Sequence, residues 1–198
     1  MKKQKRFLLQ ENELPMQWYN IQADMKNKPL PPLNPATKEP LSAEDLAHIF
    51  SMECAKQELD SEHAWIDIPE EVQDKYKYYR STPLVRAYAL EQALNTPAHI
   101  YFKNESINPL GSHKINSALP QCYYCKQEGT TNVTTETGAG QWGAALSYAA
   151  SVFGLSAAVY QVKISMQQKP YRSLIMRTFG AEVTGSPSMS TRAGKDII

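Results

Sequence analysis

The chain of 198 residues is 42% hydrophobic and 21% charged, ordinary for a globular domain, and 21 Lys and Arg against 20 Asp and Glu leave a net charge of +1. That balance removes the electrostatic case for nucleic acid or an anionic membrane as the main partner. No apolar stretch reaches the roughly 20 residues of a spanning helix, the basic N-terminus lacks a secretory apolar run, and three cysteines make no disulfide framework, which leaves a soluble cytoplasmic enzyme or binding domain.

Residues 1–82 hold seven of the thirteen prolines and none of the nine glycines. Trp18 and Tyr19 read as docking residues of an N-terminal arm. The proline-dense run at 29–35 should be extended. Ser42, followed by Glu44 and Asp45, reads as the N-cap of a helix running to about residue 58. From residue 83 short apolar runs alternate with helical stretches. Strands are expected at 99–103, 132–135, 157–162 and 182–184. Helices are expected at 114–127, broken or bent near Pro120, at 144–153 closing on Gly154, and at 171–179 closing on Gly180. The alternation predicts an α/β fold, an open parallel sheet with right-handed crossovers and helices on both faces. In such sheets ligands sit beyond the carboxyl ends of the strands.

Two strand-to-helix loops carry chemistry. The first runs Asn108-Pro109-Leu110-Gly111-Ser112-His113-Lys114-Ile115-Asn116. The positive end of a helix dipole disfavours an ammonium at Lys114, and a neutral amine is what an aldehyde cofactor requires. By itself a lysine at a helix start is an ordinary solvated residue. The second loop is Glu136-Thr137-Gly138-Ala139-Gly140-Gln141-Trp142-Gly143. Its glycines let backbone N–H groups face a ligand, and a carboxylate suits it better than a pyrophosphate, since it is neither a dinucleotide fingerprint nor a Walker loop. Glu136, at the strand end, is placed to be partly desolvated and to act as a general acid or base; a tight turn with a surface glutamate is the plain alternative. Lys114 and Glu136 are 22 residues apart, one strand–helix step, so the ends of neighbouring strands are expected to bring them to one site. Cys122 and Cys125 form a lone C-x-x-C in a helix, read as packing rather than zinc or redox chemistry, and no metal site is expected. His48, His63 and His99 show no partner pattern. Lys169 and Arg172 open a helix, as a solvated face or an interdomain contact.

The motifs Gly111-Ser112-His113-Lys114-Ile115-Asn116, Glu136 through Gly143, and Gln168-Lys169-Pro170-Tyr171-Arg172 together resemble those of tryptophan synthase β chains, most of all the second, TrpB-like class. Trp142, Trp18-Tyr19-Asn20 and Thr37-Lys38-Glu39-Pro40 point to that class. The resemblance spans residues 18–198. It implies the fold type II architecture of pyridoxal-phosphate enzymes, with the cofactor between two open α/β domains. It implies Lys114 as the Schiff-base lysine, with His113 at the cofactor phosphate and Asn116 and Gln141 among the cofactor contacts. Glu136 would be the acid–base, and Thr137, Gly138, Ala139, Gly140 and Gln141 would bind the substrate carboxylate. The implied reaction is a β-replacement, a lyase step of amino-acid biosynthesis that turns L-serine and indole into L-tryptophan. The implied organisation is an N-terminal extension at 1–82, part of an α/β domain with the lysine at 83–128, and a mobile subdomain at 129–198. A homodimer and an α subunit are the implied partners.

The family's β chains are about twice this long and carry a glycine-rich phosphate cradle in their second half. After Gly143 this chain has only isolated glycines at 154, 180, 185 and 194. The expectation is an N-terminal fragment, truncated within a domain and inactive in isolation. The alternatives are a non-catalytic interaction module and a sister pyridoxal-phosphate enzyme of the serine/threonine dehydratase type. The Glu136–Gln141 loop speaks against the sister families, whose matching loop is rich in serine or threonine, glycine and asparagine.

Overall fold

The computed structural model describes residues 4–198. Its N-terminal part is made of short elements pinned by side chains. Strands β1 (Arg6–Phe7) and β2 (Gln17–Tyr19) come first. The proline run is extended, as expected, and then reverses: Asn34 Oδ1 accepts from the N–H groups of Ala36 and Thr37, and Leu33 bridges to Pro40. Ser42 caps α1 (Ala43–Leu46), its hydroxyl accepting from the Asp45 N–H while the Asp45 carboxylate accepts from the Ser42 N–H.

The single helix expected from here to residue 58 is two. Helix α1 stops at Leu46, and Ser51 caps a new helix, α2 (Met52–Leu59). The N–H groups of Met52 and Glu53 also donate to the Glu128 carboxylate at 3.0 and 3.1 Å. A second capping residue restarts the helix, and an anion from a distant part of the chain holds its positive end in place. Strand β3 (Trp65–Asp67) pairs antiparallel with β2, Trp18 opposite Ile66. Helix α3 (Glu70–Lys77) buries Val72 and Tyr76.

Strand β4 (Leu84–Arg86), helix α4 (Tyr88–Ala93) and strand β5 (Tyr101–Lys103) follow. Strand β5 is not the first strand of the parallel sheet. It pairs antiparallel with β4, which pairs antiparallel with β1. The Arg86–Glu91 ion pair, 2.9 Å, explains the placement: Glu91 also accepts from the Ile100 N–H, so one carboxylate ties both strands together. Alternation of strand and helix cannot distinguish this reversal from a parallel crossover.

Helix α5 (Ile115–Gln127) continues unbroken through Pro120, where the sequence predicts a break or a bend. Proline deprives the carbonyl four residues earlier of its helical donor. That carbonyl belongs to Asn116, and the Tyr76 hydroxyl donates to it at 2.5 Å. The missing bond is replaced from α3, and the helix survives.

The remaining elements keep the expected alternation except for α7, a helix that the sequence pattern does not predict between β7 and α8: β6 (Asn132–Thr137), α6 (Gln141–Phe153), β7 (Ser156–Val162), α7 (Lys163–Gln168), α8 (Pro170–Thr178), β8 (Glu182–Ser186) and α9 (Arg192–Ile197). Strands β6, β7 and β8 form a parallel sheet in that order, with Thr135 beside Val159 and Val159 beside Val183. Ala157, Val159 and Gln161 of β7 are buried on one face. The core joins Ile115, Ala118 and Leu119 of α5 to Ala144, Ala145, Ala149 and Ala150 of α6, and to Val159 and Met176. Gly143 makes the approach possible: a Cβ there would stand 2.6 Å from Met176 Sδ and 2.8 Å from Val159 Cγ1.

Two outcomes follow from the Tyr76 bond. Tyr76→Phe leaves the Asn116 carbonyl unsatisfied and should cost about 1–3 kcal/mol, read as a lower urea midpoint at unchanged slope. Burial pushes the Tyr76 hydroxyl from 10.0 up to about 12. The folded state therefore holds this proton more tightly than the unfolded chain does. Its contribution is complete below pH 10.0 and is lost as pH rises towards about 12. Urea unfolding across that window should show falling stability, and Tyr76→Phe should flatten the fall.

Candidate active site

The loop between β5 and α5 is shaped by side chains. Asn108 is buried, and its Oδ1 accepts from the N–H groups of Leu110 and Ser112 at 3.0 and 3.3 Å. Its Nδ2 donates to the Ser112 carbonyl at 2.8 Å and to Glu105 at 3.2 Å. This is an Asx turn closed on both sides, and it leads directly to Lys114. The Ser112 hydroxyl accepts from the Lys114 N–H, and Lys114 caps α5 with helical backbone angles. Lys114 is half-buried, and among the described residues nothing bonds to its ammonium. His113 is exposed.

Glu105 anchors this arrangement and carries no motif signal. It accepts from Thr82 at 2.5 Å, from Asn108, and from Asn116 Nδ2 at 3.4 Å. Burial pushes its carboxyl up, but the Thr82 and Asn108 bonds, the Lys103 ammonium and the Asn116 bond outweigh that and hold it below the usual carboxylate range. Asn116 is thus committed on three sides: Nδ2 to Glu105, Oδ1 to the Tyr79 hydroxyl at 2.8 Å, and its carbonyl to Tyr76.

The second loop joins β6 to α6. Glu136 is exposed on β6, which corrects the expected partial desolvation: its neighbours on the strand turn inward while it faces solvent. Thr137 is buried, and its hydroxyl accepts from the Gly143 N–H at 3.2 Å. Gly138, Ala139 and Gln141 are exposed. Gly140 stands at the helix start with φ 93°, in the left-handed region that favours glycine. Trp142 Nε1 donates to the Thr135 hydroxyl at 2.9 Å.

The two loops belong to different sheets, so neighbouring strand ends do not join them. Arg172 does. Its guanidinium donates to the Leu110 carbonyl at 3.2 Å, and its Cβ lies 2.8 Å from where a side chain on Gly140 would begin. The helix opening at Lys169 and Arg172 is therefore a bridge between the loops rather than a plain solvated face. Behind Gly140 lies a second polar feature with no sequence signal. Gln161, fully buried on β7, accepts from the Ser173 hydroxyl at 2.8 Å, and its Nε2 has no partner among the described residues.

A cavity of about 780 Å³ lies between α5 and the N-terminal arm, lined by Trp18, Phe50, Tyr76, Tyr124 and, from the end of the first loop, Asn116. A second, of about 660 Å³, is lined by all three cysteines and by Thr135 and Trp142. Burial pushes the Cys122 thiol up to about 12 and raises those of Cys54 and Cys125, so all three stay protonated at neutral pH. Among the described residues no three His, Cys, Asp or Glu side chains are grouped to share a metal ion, and no helix is long and apolar enough to cross a membrane. His48, His63 and His99 are exposed.

The chain is similar to known proteins. The chain is 52% identical over 190 residues to a tryptophan synthase beta chain 2 of Thermotoga maritima, covering 96% of this chain and 45% of that one. It is 47% identical over 195 residues to the protein of that name from Methanosarcina mazei, covering 98% and 44%. The chain thus spans less than half the length of these relatives. In fold it resembles a pyridoxal 5′-phosphate-dependent aspartate racemase, with a TM-score of 0.51 at 24% identity over 65% of this chain and 42% of the other. The family model described as pyridoxal-phosphate dependent enzyme matches residues 76–196, which takes in both loops and the bridge between them. The chain belongs to the family of pyridoxal-phosphate dependent enzymes.

Proposed function

We propose that this chain carries the reactive lysine, the acid–base and the carboxylate-binding loop of an enzyme that replaces the β-hydroxyl of L-serine with indole, releasing L-tryptophan and water. The observation that supports the reading most is the Arg172 bridge, which ties the Lys114 loop to the Gly140 loop across two sheets. The residues fit the family's cofactor. Lys114 presents at a helix start an amine with no partner among the described residues, and no side chain stands within 4 Å of the Cβ position at Gly138. Pyridoxal phosphate, when bound, supplies the electron sink for the chemistry.

Each residue then has a task. Lys114 Nζ holds the cofactor, with His113, Asn116 and Gln141 as further contacts. Backbone N–H groups of Thr137, Gly138, Ala139, Gly140 and Gln141 bind the amino-acid carboxylate at the start of α6, where the helix dipole favours an anion. Glu136 gives a proton to the departing hydroxyl, a poor leaving group otherwise, and assists the attack of indole. Since Glu136 is exposed here, the reading requires residues 129–198 to close over the substrate and exclude water. The activity belongs to a form of the relatives' length, a cytoplasmic homodimer open to an α subunit. The 198 residues alone hold the cofactor weakly, because they contain no glycine-rich phosphate cradle.

Borohydride reduction of the chain with pyridoxal phosphate, followed by peptide mapping, should put a substoichiometric label on Lys114 that Lys114→Ala abolishes. A label spread evenly over the other lysines would refute the assignment. In a chain completed to the relatives' length, Glu136→Gln should lower tryptophan formation roughly a hundred- to ten-thousand-fold and leave the Lys114 label in place.

A further inference from the structure

The buried face of β7 reads Ala157, Val159, Gln161, so a carboxamide occupies a position where an apolar side chain would pack. Its oxygen is satisfied by Ser173, and its Nε2 is buried without a partner. A buried donor in this condition is destabilising, and in folded proteins such groups are rare enough that each calls for a specific reason. The direction in which it points is informative. Nε2 lies 3.1 Å from where a Gly140 side chain would begin, directly behind the loop that starts the 13-residue helix α6. Ser173, one residue beyond the bridging Arg172, donates to the carboxamide oxygen from the other side, which leaves Nε2 facing Gly140.

In a planar trans peptide the N–H and C=O point in opposite directions. A loop whose N–H groups turn outward to an anion therefore turns carbonyls inward, towards β7. We propose that Gln161 is a positioning residue for the carboxylate loop, its Nε2 taking an inward carbonyl of Gly138 or Ala139 when the loop closes on an amino-acid carboxylate; the Gly140 carbonyl is already taken by the Ala144 N–H. Gln161 touches neither substrate nor cofactor; it stabilises the closed loop from behind. The proposal rests on the assignment of that loop to the carboxylate and adds the device that holds it shut.

The test uses the 15N-labelled 198-residue chain, with the Gln161 side-chain amide assigned by its loss in Gln161→Met. Titration with acetate and with L-serine should move one Gln161 amide proton to low field as the anion saturates. Gln161→Met should weaken both anions about fivefold, the worth of one neutral hydrogen bond. Ser173→Ala, which frees the carboxamide to turn while Gln161 remains, should weaken them in the same direction. An unmoved Gln161 amide with unchanged affinities in both variants would overturn the proposal. A response to acetate but not to L-serine would sink the serine reading and leave Gln161 in its role. No response to either anion would overturn the carboxylate loop and the proposal with it.

Discussion

Helix α6 lies so close to the sheet and to α5 that five of its eight buried residues are glycine or alanine. Gly143 touches Met176 and Val159 through what would be its side-chain position, and Ala144, Ala145, Ala149 and Ala150 are at most 1% exposed. This close packing sets where α6 begins, and therefore where Gly140 presents its loop. It also sets α5 at a fixed distance, and with it Lys114 at the start of that helix. Larger residues on this face would force the two helix starts apart, because protein interiors are too dense to absorb added volume.

The start of α5 is held separately, by hydrogen bonds rather than by bulk. Glu105, kept ionised by its donors, gathers Thr82, Asn108 and Asn116, and Asn116 is in turn held by Tyr76 and Tyr79. A carboxylate among aligned donors in a partly buried place is worth more than a surface ion pair, because water competes less for it. The result is a lysine on a rigid base with its own ammonium left free. Glu136 is the opposite case, a carboxylate in solvent.

Arg172 and Gln161 join these two arrangements from beneath. One reaches across to the Lys114 loop, and the other stands behind Gly140 with a spare donor. Gln161 lies in no motif, Arg172 ends the third one, and neither is local in sequence to the residues it serves. A site built from two sheets needs such ties, since the strand ends themselves do not adjoin.

The sequence by itself determined what depends on neighbours along the chain. The Ser42 cap, the extended proline run, the glycine stops at 154 and 180, the β6–α6–β7 alternation and both loop motifs are local patterns, and each stands in the structure where it was legible. Tertiary structure decided what depends on residues far apart. It placed β5 in an antiparallel sheet through Glu91, split the first helix with Glu128, and kept α5 whole through Pro120 by means of Tyr76. It also left Glu136 in solvent and made Arg172 a bridge. The physical reason is common to all of these. Caps and periodicity act within about one helical turn, whereas a hydrogen bond from a distant side chain leaves no periodic trace in the sequence and exists only once the chain has folded.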